Sequence, residues 1–377
     1  MNSSSNRRQF LAGSAVALGG RALAAQGAEI RTAFIGVGVR GRALLKQVLS
    51  QEAAPVTGIC DINSGSRDQA LAMASLYQPA ALTEWRRVLE MKNVDAVIIA
   101  TPCDSHAEMA AACLDAGKYV YCEKPLAITA EGVGQVLAAE RRSKAFLMIG
   151  QQMRYYPWLQ GAVEQIHRGV IGKVLLIKAQ RHSTPRPEGE KGHLREWYFN
   201  VKISGDRIVE NGVHNLDVCN WIAGSRPVSV FGFGKVYLPA PKPPGAEYMD
   251  AYSVMYQYEN EINLTYSEAL LHPRGLKELA NGQWYTVFGE KGAVVVKRGS
   301  ALLYGMRAEG EPRELLTSQQ QTGTENAMGD FYASIREKRR PFADIRVAAT
   351  AALTTLMGRI AIYERRMATW KELGVTV

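Results

Sequence analysis

The stretch Ile30–Lys46 (IRTAFIGVGVRGRALLK) constrains the fold more than any other part of the chain. Thr32–Ile35 reads as a short apolar strand and Gly36, Gly38 and Gly41 as a turn. The residues that follow read as a helix with Leu44, Leu45, Val48 and Leu49 on one face. Gly36 permits the tight turn, Gly38 lets the backbone approach a pyrophosphate, and Gly41 lets helix and strand pack closely. Val37 lies inside this turn, and Arg40 is placed to reach the phosphates. The helix N-terminus supplies unpaired N–H groups and the positive end of the helix dipole. A glycine-rich turn alone is commonplace, but here a strand and a helix flank it. A second strand, Pro55–Cys60, ends in Asp61, close to the spacing at which a carboxylate binds adenosine ribose hydroxyls. The stretch therefore predicts a dinucleotide site. Asp61 favours NAD because it repels a 2′-phosphate, while Arg67 and Ser64 nearby leave NADP open.

From residue 28 to 150, strands and helices alternate, as expected of a doubly wound parallel sheet that binds ligands at the carboxyl ends of its strands. After Gln151 the period changes. Tyr252, Val254, Tyr256 and Tyr258 alternate with Ser253, Met255 and Gln257, and Leu264 and Tyr266 alternate with Thr265 and Ser267. Residues 151–377 are thus expected to form an α+β domain with a large, mostly antiparallel open sheet. A helix near Ile345–Arg365 is expected to pack back on the body, and the open sheet to invite a homo-oligomer. His182–Asp206, carrying Trp197 and Tyr198, is long enough to predict a lid over a substrate.

Composition excludes more than it assigns. The 377 residues are 47% hydrophobic and 21% charged, ordinary globular values. The formal charge of +9 draws partly on Arg7, Arg8 and Arg21, which precede the first acid, Glu29. No basic run interleaved with aromatics follows, so nucleic acid is not an expected partner. Asn6–Leu11 resembles a twin-arginine export motif, and Ala22–Ala24 offers a small-residue cleavage site, so residues 1–24 are read as a signal peptide to the periplasm or beyond. Its apolar run is short and glycine-rich, and no membrane anchor is expected. The five cysteines form no CxxC pair and read as buried small hydrophobes.

Two further motifs carry chemistry. Cys122-Glu123-Lys124-Pro125 ends a parallel strand and so faces the cofactor crevice; Glu210, His214 and Asp217 share a face at helical spacing. A histidine supplies a base near neutral pH, and a lysine stabilises a developing alkoxide. A metal at Glu210, His214 and Asp217 is not expected, because one helix rarely supplies a whole site. Together with the glycine turn, Asp61 and Ala100-Thr101-Pro102, these motifs resemble the glucose–fructose oxidoreductase / inositol dehydrogenase / MocA family over essentially the whole chain after the leader. The resemblance implies an N-terminal Rossmann domain, a Lys124 that orients the reacting hydroxyl, and a His214 that takes its proton. It also implies that Glu210, where many members have Asp, orients the substrate or tunes His214. Ser204-Gly205-Asp206 stands where members tend to have three glycines. Thr101, Pro102, His106 and Glu123 are expected along the cofactor, and Arg154, Tyr155, Trp197, Tyr198 and Asp217 around a sugar or polyol. Two chemistries remain open, an oxidoreductase and a redox-neutral NAD-dependent glycosidase; a third reading, a non-catalytic nucleotide-binding protein, is opposed by the Lys124/His214 pair. The glycosidase would need a second base, for which Tyr155, Tyr198 or His193 are candidates.

Deleting residues 1–24 should leave the protein in the cytoplasm. Fractionation of a producing cell checks this, and unchanged export would refute the signal.

Overall fold

Six apolar runs pair as a parallel sheet: β1 (Thr32–Ile35), β2 (Val56–Cys60), β3 (Ala80–Leu82), β4 (Ala96–Ile99), β5 (Tyr119–Cys122) and β6 (Leu147–Ile149), in the order β3-β2-β1-β4-β5-β6. The computed structural model describes residues 29–51, 53–184, 196–237, 248–273, 282–307, 310–318, 320 and 322–377. The expected signal peptide and His193 lie outside them. β1 and β4 are buried along their whole length, which is why they read as unbroken apolar runs. The strand order reverses between β1 and β4, and a crevice opens at their carboxyl ends.

Helix Val39–Val48 buries Gly41, Leu44, Leu45 and Val48 against this sheet, while Leu49 falls just beyond it as the cap. Each fully buried Leu or Val contributes about 1.5–3 kcal/mol. Two glycines make the packing possible. Gly36 has φ +85°, and a Cβ there would lie 2.7 Å from the Ala100 carbonyl oxygen. A Cβ on Gly41 would lie 2.2 Å from the Gly36 carbonyl oxygen.

The second sheet has nine strands: β7 (Val174–His182), β8 (Pro227–Lys235), β9 (Ala251–Tyr258), β10 (Asn263–Ala269), β11 (Gly282–Gly289), β12 (Gly292–Lys297), β13 (Ser300–Gly305), β14 (Arg313–Thr317) and β15 (Ala368–Thr369). Their order is β14-β13-β12-β11-β7-β10-β9-β8-β15, and only the β7–β10 pair is parallel. The sequence pattern missed the last three, because β13 and β14 do not alternate cleanly between buried and exposed residues and β15 exists only through its pairing with β8. Tyr252, Tyr256, Tyr266, Tyr285 and Val287 fill the inner face, on which helices Val213–Ala223 and Ile345–Glu364 pack. By length and composition the second of these could cross a membrane, yet 72% of its most apolar window is buried in the protein. The outer face exposes Phe231, Phe233 and Met255 at 38, 60 and 62%.

The second half also closes on the first. The Tyr332 hydroxyl lies 2.9 Å from Thr32 Oγ1 on β1, and Ile149 N–H on β6 donates to the Ala343 carbonyl. Two local expectations need correction. Glu210 and His214 do not share one helix: Arg207–Glu210 stops at Asn211, and Val213–Ala223 begins after Gly212. A Cβ on Gly212 would lie 2.5 Å from the Tyr252 hydroxyl, so the sheet crowds the chain at this break. The expected loop 182–206 contains two helical turns, Glu196–Phe199 and Val201–Ser204.

Gly41→Ala should destabilise the protein by about 1–3 kcal/mol, because the overpacking outweighs the better helix propensity. Urea unfolding checks this; a stability equal to wild type would refute the close helix–strand contact.

Candidate active site

The crevice is a cleft of about 950 Å³, bounded by the glycine turn on one side and by Tyr198, Glu210 and His214 on the other. Gly38 precedes a helix with no capping side chain and no acid in its first turn, so its N–H groups face the cleft free for an anion. Asp61 lines the cleft at the end of β2, with Oδ2 accepting from Val37 N–H and Oδ1 from Asn63 N–H, each at 2.8 Å. Val37 itself is buried and does not line the cleft. The Arg67 guanidinium donates to the Asp61 carbonyl at 2.9 Å. The two crowded glycines, the open helix end and the braced carboxylate fit a nicotinamide dinucleotide, with Gly36, Gly38, Asp61, Thr101 and Pro102 placed to hold it.

Arg40 lines the cleft, but its guanidinium is committed. Nε donates to Glu123 Oε1 at 2.6 Å and Nη2 to Gln152 Oε1 at 2.6 Å. It therefore braces the Glu123-Lys124 turn instead of reaching freely for a phosphate. His106 also lines the cleft, yet its ring nitrogens lie 2.7 Å from the Pro125 carbonyl and 2.9 Å from the Thr101 carbonyl. Burial pushes it below the ordinary histidine range. It ties two strand ends together.

Lys124 and Glu210 meet from opposite domains. Lys124 Nζ donates to the Glu210 carbonyl at 2.8 Å and to Glu210 Oε1. Burial works against both charges, but each partner outweighs it for the other: Lys124 stays above and Glu210 below its ordinary range. Two of three ammonium hydrogens are thus used, and one is left among the described residues. His214 Nδ1 lies 3.1 Å from Gln151 Oε1, an acceptor, so Nδ1 carries the hydrogen and Nε2 the lone pair. Burial pushes His214 well below 6.5, and the charges of Lys124, Arg181 and Arg40 push it further. A neutral imidazole is the form that takes a proton.

Several expected residues lie elsewhere. Arg154 and Asp217 form a buried bidentate pair at 2.8 Å, and neither lines the cleft. Glu210, His214 and Asp217 therefore do not converge on a metal. Tyr155 is also outside, its hydroxyl donating to Asp330 at 2.7 Å and accepting from Ala343 N–H at 3.1 Å. Trp197 and Tyr198 do line the cleft. Burial holds the Tyr198 hydroxyl protonated, well above its ordinary range. Sequence reasoning missed Gln151, Gln152 and Arg181; the two glutamines follow the carboxyl end of β6, a position that could have flagged them.

Asp206 explains the missing glycine. It has φ +92°, a conformation that favours glycine, and is held there by Arg207 N–H and the Tyr363 hydroxyl. Burial raises its carboxyl to about 7.

With this geometry in hand, the comparisons are specific. The family model described as "Oxidoreductase family, NAD-binding Rossmann fold" matches residues 30–151, and its companion, "C-terminal alpha/beta domain", matches residues 163–366. The chain belongs to the Gfo/Idh/MocA oxidoreductase family. A glycosyl hydrolase family 109 protein of Stenotrophomonas maltophilia is 33% identical over 187 residues, 46% of this chain and 41% of that protein. An inositol 2-dehydrogenase of Salmonella paratyphi B is 27% identical over 212 residues, 56% of this chain and 58% of its own. The matches thus span about half the length of these curated relatives. Among solved structures, an oxidoreductase domain protein from Kribbella flavida gives a TM-score of 0.78 at 20% identity, over 90% of this chain and 99% of its own. A levoglucosan dehydrogenase in complex with NADH gives 0.77 at 20% identity, over the same shares. At that identity these two show the fold alone.

The unfolded chain protonates His214 near pH 6.5 and the folded protein does not, so folded stability is lost as pH falls below 6.5. Wild type should lose more Tm between pH 8 and 5 than His214→Gln. Parallel losses would refute a buried neutral His214.

Proposed function

We propose that the protein is an NAD-dependent oxidoreductase that acts at a ring carbinol of a sugar, polyol or glycoside. The observation that carries this reading is the pairing, in one cleft, of a Lys124 ammonium with one hydrogen to spare and a neutral His214. When bound, the nicotinamide supplies the hydride acceptor. Lys124 would hold the carbinol oxygen and stabilise negative charge on it, with Glu210 keeping the ammonium charged and in place. His214 Nε2 would take the hydroxyl proton, while Gln151 holds the ring in the right tautomer. The inositol 2-dehydrogenase relative supports a polyol or sugar as substrate. The carboxylate at Asp61 supports NAD over NADP.

The glycosyl hydrolase family 109 relative supports a second reading. In it a ring carbon is oxidised, the glycosidic substituent eliminated, water added and the carbon reduced again. Tyr198 is the described candidate that lines the cleft; its hydroxyl, held protonated, suits it to give a proton to the leaving group and not to act as the second base.

The leader belongs to the same proposal. A protein exported already folded would carry its cofactor with it and regenerate it in place, so NAD should stay bound through dialysis. The exposed sheet face bearing Phe231, Phe233 and Met255 would be covered by a second copy.

His214→Ala and Lys124→Ala should each lower turnover by about 10²–10⁴-fold. The mature protein as purified, given mixed free sugars and glycosides without added cofactor, supplies the assay, read by mass spectrometry. An oxidised sugar matched by a reduced one supports the oxidoreductase. Catalytic release of sugar from a glycoside favours the second reading. Undiminished turnover in both variants would remove the site assignment.

A further inference from the structure

Several elements meet on one guanidinium. Arg40 stands in the first turn of helix Val39–Val48, directly after the glycine turn. Its Nε donates to Glu123 Oε1 just beyond β5, and its Nη2 to Gln152 Oε1 just beyond β6, each at 2.6 Å. Nη1 reaches Thr324 Oγ1 at 3.4 Å, in the first turn of helix Gly323–Glu337. Thr324 in turn donates to Gln152 Oε1 at 2.9 Å, which closes a ring of hydrogen bonds. A guanidinium holds its donors in a planar fork at fixed angles, which a lysine ammonium cannot copy.

Two of these partners adjoin the groups that act in the proposed reaction. Glu123 precedes Lys124, and its Oε2 accepts from the Lys124 backbone N–H at 3.3 Å. Gln152 follows Gln151, whose Oε1 takes the His214 Nδ1 hydrogen at 3.1 Å. The two arms also press on each other: the Glu123 carboxylate lies against Gly150, where a Cβ would come within 2.9 Å of it. The Glu123 side chain is only 7% exposed, and Arg40 is its one ion-pair partner among the described residues. Such a charge-assisted, largely desolvated contact is strong and directional. The first turn of the helix thus offers its backbone to the phosphates and this side chain to the surroundings of Lys124 and His214.

We propose that Arg40 is a positioning residue, which holds Lys124 through Glu123 and His214 through Gln152 and Gln151, and so registers both against the cofactor bound at the same turn. Its role then lies in turnover and not in cofactor affinity. This rests on the roles proposed for Lys124 and His214.

The test compares wild type with Arg40→Met, Arg40→Lys, Glu123→Gln and the Arg40→Met/Glu123→Gln double variant, each as the full mature protein. Calorimetry gives the NAD affinity, and turnover of free sugars and glycosides at saturating NAD gives kcat. Arg40→Met should lower kcat by about tenfold or more while NAD affinity changes by less than about threefold, because a small displacement of reacting groups is costly. Arg40→Lys should recover part of the loss. The double variant should turn over no more slowly than Arg40→Met, because both changes remove one contact. An NAD affinity that falls as far as kcat would make Arg40 a cofactor ligand and overturn the proposal, and an unchanged kcat would do the same. Additive losses in the double variant would overturn the route through Glu123. If Arg40→Met does not fold, Arg40→Lys is judged by the same split between kcat and NAD affinity. If no sugar or glycoside turns over, the oxidoreductase reading fails as a separate result, and the placement of Lys124 is read directly. Its acylation by an N-hydroxysuccinimide ester, followed by peptide mass spectrometry, should be faster in Arg40→Met than in wild type; equal rates overturn the proposal.

Discussion

A buried ammonium is stable only beside a carboxylate, and the rest of this site depends on that constraint. Lys124 lies just beyond the carboxyl end of β5, while Glu210 closes a helical turn borne by the second domain. Neither charge has another ion-pair partner among the described residues. Each domain therefore completes the other, and a shift between them would strand two charges in a low-dielectric cleft. Arg40 extends the same logic: through Glu123 and Gln152 it links the glycine-turn helix to the Lys124 turn and to the residues after β6. The place for a cofactor and the place for a reacting hydroxyl are thus fixed by one chain of charge-assisted contacts.

That arrangement also sets the state of His214. Three cations press on a buried ring, and each disfavours a fourth positive charge. The ring is kept neutral by its surroundings and oriented by Gln151, so its lone pair is defined before any substrate arrives.

The first half of the chain was legible because its signals are local. Apolar strands, a glycine turn flanked by strand and helix, and Asp61 at the end of β2 all follow from short-range sterics and periodicity. Lys124, Glu210 and His214 were legible as types at suggestive spacing, and they do meet in the cleft. The spacing misled for Asp217 and Tyr155. Asp217 is taken by Arg154, 63 residues earlier, and Tyr155 by Asp330, 175 residues later. No local pattern announces a partner at such separations.

Asp206 shows how far from the cleft the geometry is held. A non-glycine residue at φ +92° persists only where its surroundings over-determine it. Those surroundings come from the far end of the chain. Tyr363 donates to the Asp206 carboxylate, and Arg359 donates to the Gly205 carbonyl at 3.0 Å, both from helix Ile345–Glu364. That helix is anchored by burial against β8 and helix Val213–Ala223, and it also packs on the turn Arg207–Glu210. Asp206 then caps the single turn that ends in Glu210. The C-terminal helix thereby sets where Glu210 stands, and through Glu210 where the Lys124 ammonium points. A family pattern of three glycines would reach the same backbone without this side-chain support. In this chain the acid that replaces the third glycine makes the position of Lys124 depend on the packing of a helix about 150 residues away in sequence from Asp206.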